Sequence, residues 1–143
     1  MNEIQTAMQF GLELAAAASE EILPRFRNCA VEFKSDGSEV TDADRAAEIV
    51  MTKMIARRFP NDGVCGEEFG QSGASCGARM WILDPIDGTA SFTLGIPLFG
   101  TLIALCENNE PVVGIIHFPA LNETVYAGRG EGCWFKSSSA AAR

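Results

Sequence analysis

The sequence predicts an α+β fold, a two-layer sandwich in which two helices pack on one face of a mostly antiparallel sheet. Two observations lead to this class. Apolar residues recur at helical spacing up to Phe59, and from Gly63 onward the pattern changes to short strands and turns. Helices followed by strands, without strict alternation, are typical of helices gathered on one face of a sheet. With 143 residues, 47% of them apolar, the chain can form one domain with a buried core, which we place at residues 1–135.

Two helices are predicted from the apolar periodicity. The first covers residues 3 to about 23, with Asn2 as its N-terminal cap and Pro24 close to its end. The second begins after Thr41, which has the side chain of an N-cap, and continues to about Phe59, where a proline follows.

Six strands are predicted after the second helix. Glu107–Glu110 is interpreted as a hairpin turn between the two longest strands. Gly128–Gly132 is interpreted as another hairpin turn, not a nucleotide loop, because it precedes a strand instead of opening a helix. The two longest strands are apolar almost throughout, so we expect both faces of the sheet to be covered there. Residues 136–143 show no core-forming pattern and are expected to fray. The predicted strands are Val64–Gly66, Met80–Asp84, Leu98–Cys106, Val112–Phe118, Thr124–Ala127 and Cys133–Phe135.

Composition excludes several classes of function. A formal net charge of −8 without any basic run argues against nucleic-acid binding. No stretch approaches the roughly 20 apolar residues of a membrane span, and the first residues lack the basic region of a secretory leader. The five cysteines are odd in number and form no CxxC pair, so we expect reduced thiols in a cytoplasmic protein. The only histidine, His117, lies in an apolar strand and is interpreted as structural.

The segment Trp81–Thr89 has the pattern of a metal-binding turn. Its apolar start delivers Asp84 to a strand end, and Pro85, which lacks an N–H group, is expected to halt the strand. Asp84, Asp87 and the Ile86 carbonyl between them can then converge on one point. Three hard oxygen donors suit Mg²⁺ or Mn²⁺ better than zinc.

Three further segments add candidate residues. Gly88 carries no Cβ, which lets a phosphate approach the backbone, and Thr89 offers an amide and a hydroxyl. Glu67 and Glu68 follow a predicted strand, where adjacent glutamates are most often simply solvated. Asp44 lies in the first turn of the second helix, where capping alone would account for it. Capping does not exclude a catalytic role.

Together these segments resemble the inositol monophosphatase family. The resemblance covers nearly the whole chain up to Phe135, and the Asp-Pro-Ile-Asp-Gly-Thr string is its most specific part. It implies the fold of the amino-terminal domain of these Mg²⁺-dependent, Li⁺-sensitive phosphatases, which include histidinol-phosphatase-like members. The matching residues are Lys34, Val40–Thr41, Asp44, Gly66–Glu68, Trp81–Thr89, Phe92, Gly114–Ile116 and Gly130–Gly132.

The resemblance also implies a role for each matching residue. Direct attack of an activated water on a small phosphorylated alcohol, such as inositol phosphate or histidinol phosphate, is the implied reaction, with Mg²⁺ as the cofactor and Mn²⁺ as a substitute. Lys34 belongs to a mobile loop that helps to close the site. The implied metal ligands are Glu67, Asp84, the Ile86 carbonyl and Asp87; the implied catalytic residues are Asp44, Thr89 and Glu67; the implied phosphate-binding residues are Asp87, Gly88 and Thr89.

Members of this family are nearly twice as long as this chain. Their second half supplies a further aspartate to the metal site and most contacts to the substrate alcohol. We therefore expect an incomplete metal site, an absent carboxy-terminal domain, and a homo-oligomer, most simply a two-fold dimer, that covers the surface left bare. Three functions stay open: a phosphatase completed by a partner chain, an inactive metal-binding or oligomerisation module, and a stable remnant.

Overall fold

The structure, a computed structural model, describes residues 1–73 and 79–138. It contains two long helices, one short helix and nine strands in that part of the chain. Their bounds are α1 Glu3–Ile22, followed by a 3₁₀ turn Leu23–Arg25, β1 Val31–Phe33, β2 Glu39–Thr41, α2 Asp42–Arg58, β3 Gly63–Gly66, β4 Gly70–Gly73, β5 Arg79–Asp87, α3 Thr89–Thr93, β6 Gly100–Glu107, β7 Glu110–Phe118, β8 Glu123–Gly128 and β9 Gly132–Ser137.

The main sheet has seven strands in the order β4-β3-β5-β6-β7-β8-β9, and β1 and β2 form a separate hairpin. Within the main sheet β3 and β5 pair in parallel, and every other neighbouring pair is antiparallel. This arrangement confirms the predicted class, helices layered on a mostly antiparallel sheet. Within the two described ranges, no helix combines the length and the hydropathy needed to cross a membrane.

Both predicted helix starts are confirmed. The Asn2 side chain accepts a hydrogen bond from the Gln5 amide at 2.8 Å, and the Gln5 side chain accepts one from the Asn2 amide at 3.1 Å. Thr41 and Asp44 form the same reciprocal capping box at the start of α2. The first helix also contacts the far end of the chain, because the side-chain amides of Asn2 and Gln5 both donate to the Glu131 carboxylate.

The core lies between the two long helices and one face of the sheet. Trp81 of β5 is fully buried there, with its ring centroid 5.6 Å from that of Phe10 in α1 and 5.9 Å from that of Phe59 after α2. Its indole N–H donates to Asp62 Oδ2 at 2.9 Å, so the polar edge of the ring is also satisfied. The two helices are thereby fixed to the strand that carries the candidate metal turn.

All six predicted strands are present. Five are one to four residues longer than predicted, whereas β6 begins at Gly100, two residues after the predicted start. The hairpin turns at Glu107–Glu110 and Gly128–Gly132 are confirmed; Asn108 and Asn109 have φ of 52° and 66°, as a two-residue hairpin turn requires. Strand β4 and the β1–β2 hairpin were not predicted from the sequence. Lys136 and Ser137, which we expected to fray, pair with β8 as part of β9; residues 139–143 lie outside the described residues.

The expectation that Pro85 halts its strand was wrong. Strand β5 continues to Asp87, and the pairing with β6 changes register between Asp84 and Asp87. A proline without an N–H group is accommodated in such an irregularity, because a bulge leaves its residues out of the ladder. The Pro85 carbonyl instead accepts a hydrogen bond from the Thr101 hydroxyl of β6 at 2.8 Å. The Asp84–Asp87 segment therefore departs from regular strand pairing at the end of β5.

One face of the sheet is uncovered within this chain, which matches the expected bare surface; the cover expected on both faces is present on one side only. Side chains alternate between the two faces of a strand. Those facing the helices, such as Leu83, Ile103 and Ile115, are at most 2% exposed, whereas Ile82 and Ile116 on the opposite side are 45% and 42% exposed. A shallow depression of about 450 Å³ crosses that side, and Asp84 lies at its margin. The open face, as we call this surface, consists of Ile82, Leu102, Ala104, Gly114, Ile116, Val125 and Ala127.

His117 has a structural environment, as predicted. It is 8% exposed in β7, and its Nδ1 lies 2.7 Å from the Thr124 hydroxyl of β8. Burial lowers the pKa of His117, and this effect outweighs a hydrogen bond to the Glu123 backbone that acts in the opposite direction. The folded protein therefore binds this proton more weakly than the unfolded chain does.

Acidification is expected to cost stability through His117. The contribution of the neutral ring is complete above the unfolded-state pKa of about 6.5 and is lost as pH falls toward the folded-state pKa, by at most about 1.4 kcal/mol per pH unit. His117→Gln, which can keep the bond to Thr124, removes this component. Urea unfolding of both proteins between about pH 7.5 and about pH 5 measures it. Equal pH slopes for the two proteins would contradict the assignment.

Candidate active site

Asp84 is the centre of the candidate site. Its side chain is half-buried, and its Oδ1 atom has no hydrogen-bond partner among the described residues. Burial raises the pKa of Asp84 to about 8, with further contributions from Glu67, Asp87 and Asp44. The fold therefore brings together four of the carboxylates that the sequence singled out. Mutual repulsion in such a cluster favours a bound cation.

Glu67 reaches this cluster through the single parallel pair of the described sheet. Strands β3 and β5 run side by side, with Gly66 paired to Leu83, so the next residues along the two strands, Glu67 and Asp84, follow at the same edge. The Glu67 amide donates to the Leu83 carbonyl at 3.1 Å, which ties the turn after β3 to β5. Two segments 17 positions apart in the sequence thus present their carboxylates side by side.

Asp44 combines the capping role with proximity to the cluster. It is 1% exposed, and its Oδ2 accepts hydrogen bonds from the Thr41 amide at 2.9 Å and the Thr41 hydroxyl at 2.6 Å. Burial raises the pKa of Asp44 despite these bonds. The capping interpretation is confirmed, and the same carboxylate contributes to the raised pKa of Asp84.

Gly88 and Thr89 form the turn that follows Asp87. Gly88 has a φ of +86°, and a Cβ there would lie 3.3 Å from the Leu98 carbonyl, so both backbone conformation and space require glycine. Short helix α3 starts at Thr89, whose hydroxyl donates to the Ile86 carbonyl at 3.1 Å. In the described chain Asp44 and Thr89 are therefore bonded to Thr41 and Ile86 respectively, not to each other.

Lys34 approaches the cluster from the β1–β2 turn. Its Nζ atom lies 3.0 Å from a carboxylate oxygen of Glu68 and 3.8 Å from Glu67 Oε1. Burial lowers the pKa of Lys34, but the hydrogen bond and attraction from Glu68 and the attraction from Glu67 outweigh it, so the pKa is raised overall. The ammonium group stays charged and partly neutralises the acidic turn.

A hard divalent cation fits the donor set of Glu67, Asp84 and Asp87. All donors are oxygens, and the buried Asp84 Oδ1 lacks a partner that a cation would supply. In residues 1–73 and 79–138, however, no group of three or more His, Cys, Asp or Glu side chains is already arranged to hold a metal ion. The residues suit a divalent cation in their donor type and in their closeness to one another. Binding would require the carboxylates to move together around the ion.

One further carboxylate at this edge was missed from the sequence. Glu48 of α2 is 1% exposed and accepts hydrogen bonds from the Glu68 amide at 2.9 Å and the Phe69 amide at 2.7 Å. It lies one helical turn after Asp44, and residues four apart share a helix face. That spacing could have marked it as a neighbour of the site.

Comparisons with known proteins agree with this geometry. Residues 3–142 match the inositol monophosphatase family. The histidinol-phosphatase of Chlorobaculum parvum is 44% identical over 133 residues, 92% of this chain and 51% of that protein. The histidinol-phosphatase of Mycobacterium tuberculosis is 43% identical over 129 residues, 89% of this chain and 49% of that protein.

Solved structures show the same relation. The inositol monophosphatase structure of Thermotoga maritima superposes with a TM-score of 0.84 at 34% identity, covering 92% of this chain and 51% of that one. The extragenic suppressor protein SuhB of Bartonella henselae gives 0.85 at 30% identity, with 92% and 52% covered. The chain spans about half the length of the relatives it matches. It belongs to the inositol monophosphatase family.

Proposed function

We propose that this chain carries the metal-binding half of a Mg²⁺-dependent phosphomonoesterase that acts on a small phosphorylated alcohol. The observation that supports this most is the buried, unpartnered Asp84 oxygen next to Glu67 and Asp87. Relatives described as histidinol-phosphatases support histidinol phosphate as the substrate, and others described as inositol monophosphatases support inositol phosphate.

In this proposal the ion is held by Glu67, Asp84, Asp87 and the Ile86 carbonyl. When bound, Mg²⁺ neutralises phosphate charge and makes water easier to deprotonate. The hydroxyl of Thr89 already donates a hydrogen bond to the Ile86 carbonyl, so its oxygen is free to accept a hydrogen bond from the attacking water. Asp44 supplies a second acceptor for that water.

Phosphate positioning is assigned to the turn after Asp87. Gly88 exposes its backbone, and the amides of Gly88 and Thr89 are available donors at the start of α3. Because no three-ligand group in the described residues is already arranged for a metal, we propose that turnover depends on a further ligand from outside these residues.

A second candidate function is an inactive metal-binding or oligomerisation module of the same family. It is favoured by the lack, in the described ranges, of a three-ligand group already arranged for a metal. Phosphate release from histidinol phosphate and inositol phosphate, with Mg²⁺ and after chelation, separates the two. Mg²⁺-dependent release supports the phosphatase. A rise in melting temperature with Mg²⁺ but no release supports the module, and neither effect would contradict both.

We further propose that the protein is a homo-oligomer, most simply a dimer, joined through the open face. An antiparallel sheet whose face meets water normally carries polar residues there, whereas every side chain of the open face is apolar. The chain has a net charge of −8, but Asp84 is the only charged residue among those that line the depression on this face, so two copies can meet there with little like-charge repulsion. We also propose a cytoplasmic location, supported by free thiols at Cys29, Cys65, Cys106 and Cys133.

Gly114 provides a test of the dimer. A Cβ at Gly114 would meet no atom within 4 Å, so a side chain added there projects from the open face without disturbing the subunit. We expect Gly114→Lys to convert the dimer to a monomer in analytical ultracentrifugation at micromolar concentration, because burying an unpaired ammonium costs several kcal/mol. Gly114→Ala, the matched control, stays dimeric. A monomeric parent protein would contradict the proposal.

A further inference from the structure

Glu48 is a buried carboxylate whose hydrogen bonds go to backbone amides. It is 1% exposed, yet none of the ion pairs of the described residues includes it. Removing a carboxylate from water without a cation is costly, so its hydrogen bonds need to compensate. Oε1 accepts from the Glu68 amide and Oε2 from the Phe69 amide, which engages both oxygens with one short stretch of backbone.

The turn after β3 is shaped around this carboxylate. A Cβ on Gly66 would overlap the carboxyl group of Glu48, so only glycine lets the chain pass this closely. Three consecutive amides of the turn are then fixed: Glu67 bonds to the Leu83 carbonyl, and the next two bond to Glu48. Packing against Glu48 therefore explains the glycine at position 66, and the proposed metal ligation explains the glutamate at position 67.

Lys34 contacts the same turn through side chains instead of the backbone. Its ammonium group contacts the side chains of Glu68 and Glu67, whereas Glu48 contacts the backbone from within α2. With its amide bonded to β5 and the two following amides held by Glu48, the backbone of Glu67 is fixed next to Asp84.

We propose that Glu48 is a positioning residue, which fixes the 66–69 turn so that the Glu67 carboxylate faces Asp84. It contacts neither the reacting groups nor the ion, and it acts through the backbone of the turn. The effect on metal affinity rests on the function proposed above; the effect on the turn does not.

The test compares Glu48→Gln with Asp62→Asn. Glutamine keeps the length of the side chain but replaces one acceptor oxygen with an NH₂ group that faces an amide donor. Asp62 is also buried, at 8% exposure, and accepts bonds from Trp81 and Arg79 instead of from the turn. It therefore controls for the general loss of a buried carboxylate.

Two measurements are made on each protein. Amide hydrogen exchange by NMR is expected to be about tenfold or more faster at Glu68 and Phe69 in Glu48→Gln, and unchanged there in Asp62→Asn. Mn²⁺ affinity by calorimetry is expected to fall about ten- to a hundredfold in Glu48→Gln only, the loss typical of removing partners of metal ligands.

The outcomes distinguish the two proposals. If the wild-type protein binds no Mn²⁺, the proposed function fails, and the exchange rates alone decide whether Glu48 holds the turn. If exchange at the two amides is unchanged in Glu48→Gln, or is equally accelerated in Asp62→Asn, the positioning role is overturned. Unchanged Mn²⁺ affinity in a protein whose turn has loosened overturns it as well. Should Glu48→Gln not fold, Gly66→Ala displaces the turn while leaving Glu48 intact. Its amide exchange at Glu68 and Phe69 and its Mn²⁺ affinity then provide the same test.

Discussion

Under the proposed function, replacing Asp84 with asparagine is expected to abolish Mg²⁺-dependent phosphate release and to raise the melting temperature of the metal-free protein. The loss of activity should exceed about 100-fold, because even partners of metal ligands cost 10- to 100-fold when they are removed. The gain in stability follows from the surroundings: burial, together with Glu67, Asp87 and Asp44, disfavours a charged carboxylate at this position. Relief of about 1 kcal/mol would raise the midpoint by about 3–5 °C.

Asp62→Asn is the control for this experiment. It also neutralises a buried carboxylate, but one that accepts hydrogen bonds from Trp81 and Arg79. We expect it to lower the melting temperature and to leave the response to Mg²⁺ unchanged, whereas Asp84→Asn loses any Mg²⁺-induced stabilisation. An Asp84→Asn protein that is less stable than its parent, or that still responds to Mg²⁺, would refute the assignment of Asp84 as a ligand.

Trp81→Ala is expected to have the largest effect on stability. The indole ring is fully buried against Phe10 and Phe59, and its N–H satisfies Asp62. Truncating such a side chain costs about 3–5 kcal/mol. Because whole domains are stable by about 5–15 kcal/mol, we expect a partly unfolded population even without denaturant. Urea unfolding followed by circular dichroism measures the change.

Trp134→Ala is the matched substitution on an exposed strand. Its ring is 41% exposed, and its N–H donates to the Glu131 carbonyl at 3.1 Å. We expect it to cost less than about 1 kcal/mol. Trp81→Phe separates packing from hydrogen bonding, since it keeps an aromatic ring but leaves Asp62 without the indole donor. Similar losses for Trp81→Ala and Trp134→Ala would show that the core is not centred on Trp81.

Much of the fold was predictable because its signals are local. Asn2 and Thr41 were identified as caps from residue type and position, and both make the expected bonds. The Asn-Asn pair between β6 and β7 marks a turn that needs positive φ. Strand β4 and the β1–β2 hairpin could not be predicted in this way. β4 has the sequence Gly-Gln-Ser-Gly, which has no strand propensity of its own, so pairing with β3 determines its conformation.

The motifs of the candidate site were predictable from the sequence, but the tertiary contacts that join them were not. The Asp84–Thr89 string is specific, and the structure places Asp84 near the other acidic residues that the sequence singled out. Sequence spacing does not show that β3 and β5 are parallel neighbours, which is what brings Glu67 to Asp84. Nor does it show that the Thr89 hydroxyl bonds to the Ile86 carbonyl, or that Glu48 supports the turn. These depend on tertiary contacts between segments distant in the chain.

The bond between the start of α1 and the last described hairpin has a consequence during synthesis on the ribosome. Asn2 and Glu131 are 129 residues apart, so this contact forms only after almost all of the described chain has emerged. At cellular translation rates that delay is on the order of ten seconds. Until β5, β6 and β7 have been synthesised, the apolar side of α1 has no sheet to pack on, and only α2 is available to shield it. During that interval the nascent chain exposes the apolar side of α1, which the completed sheet later covers.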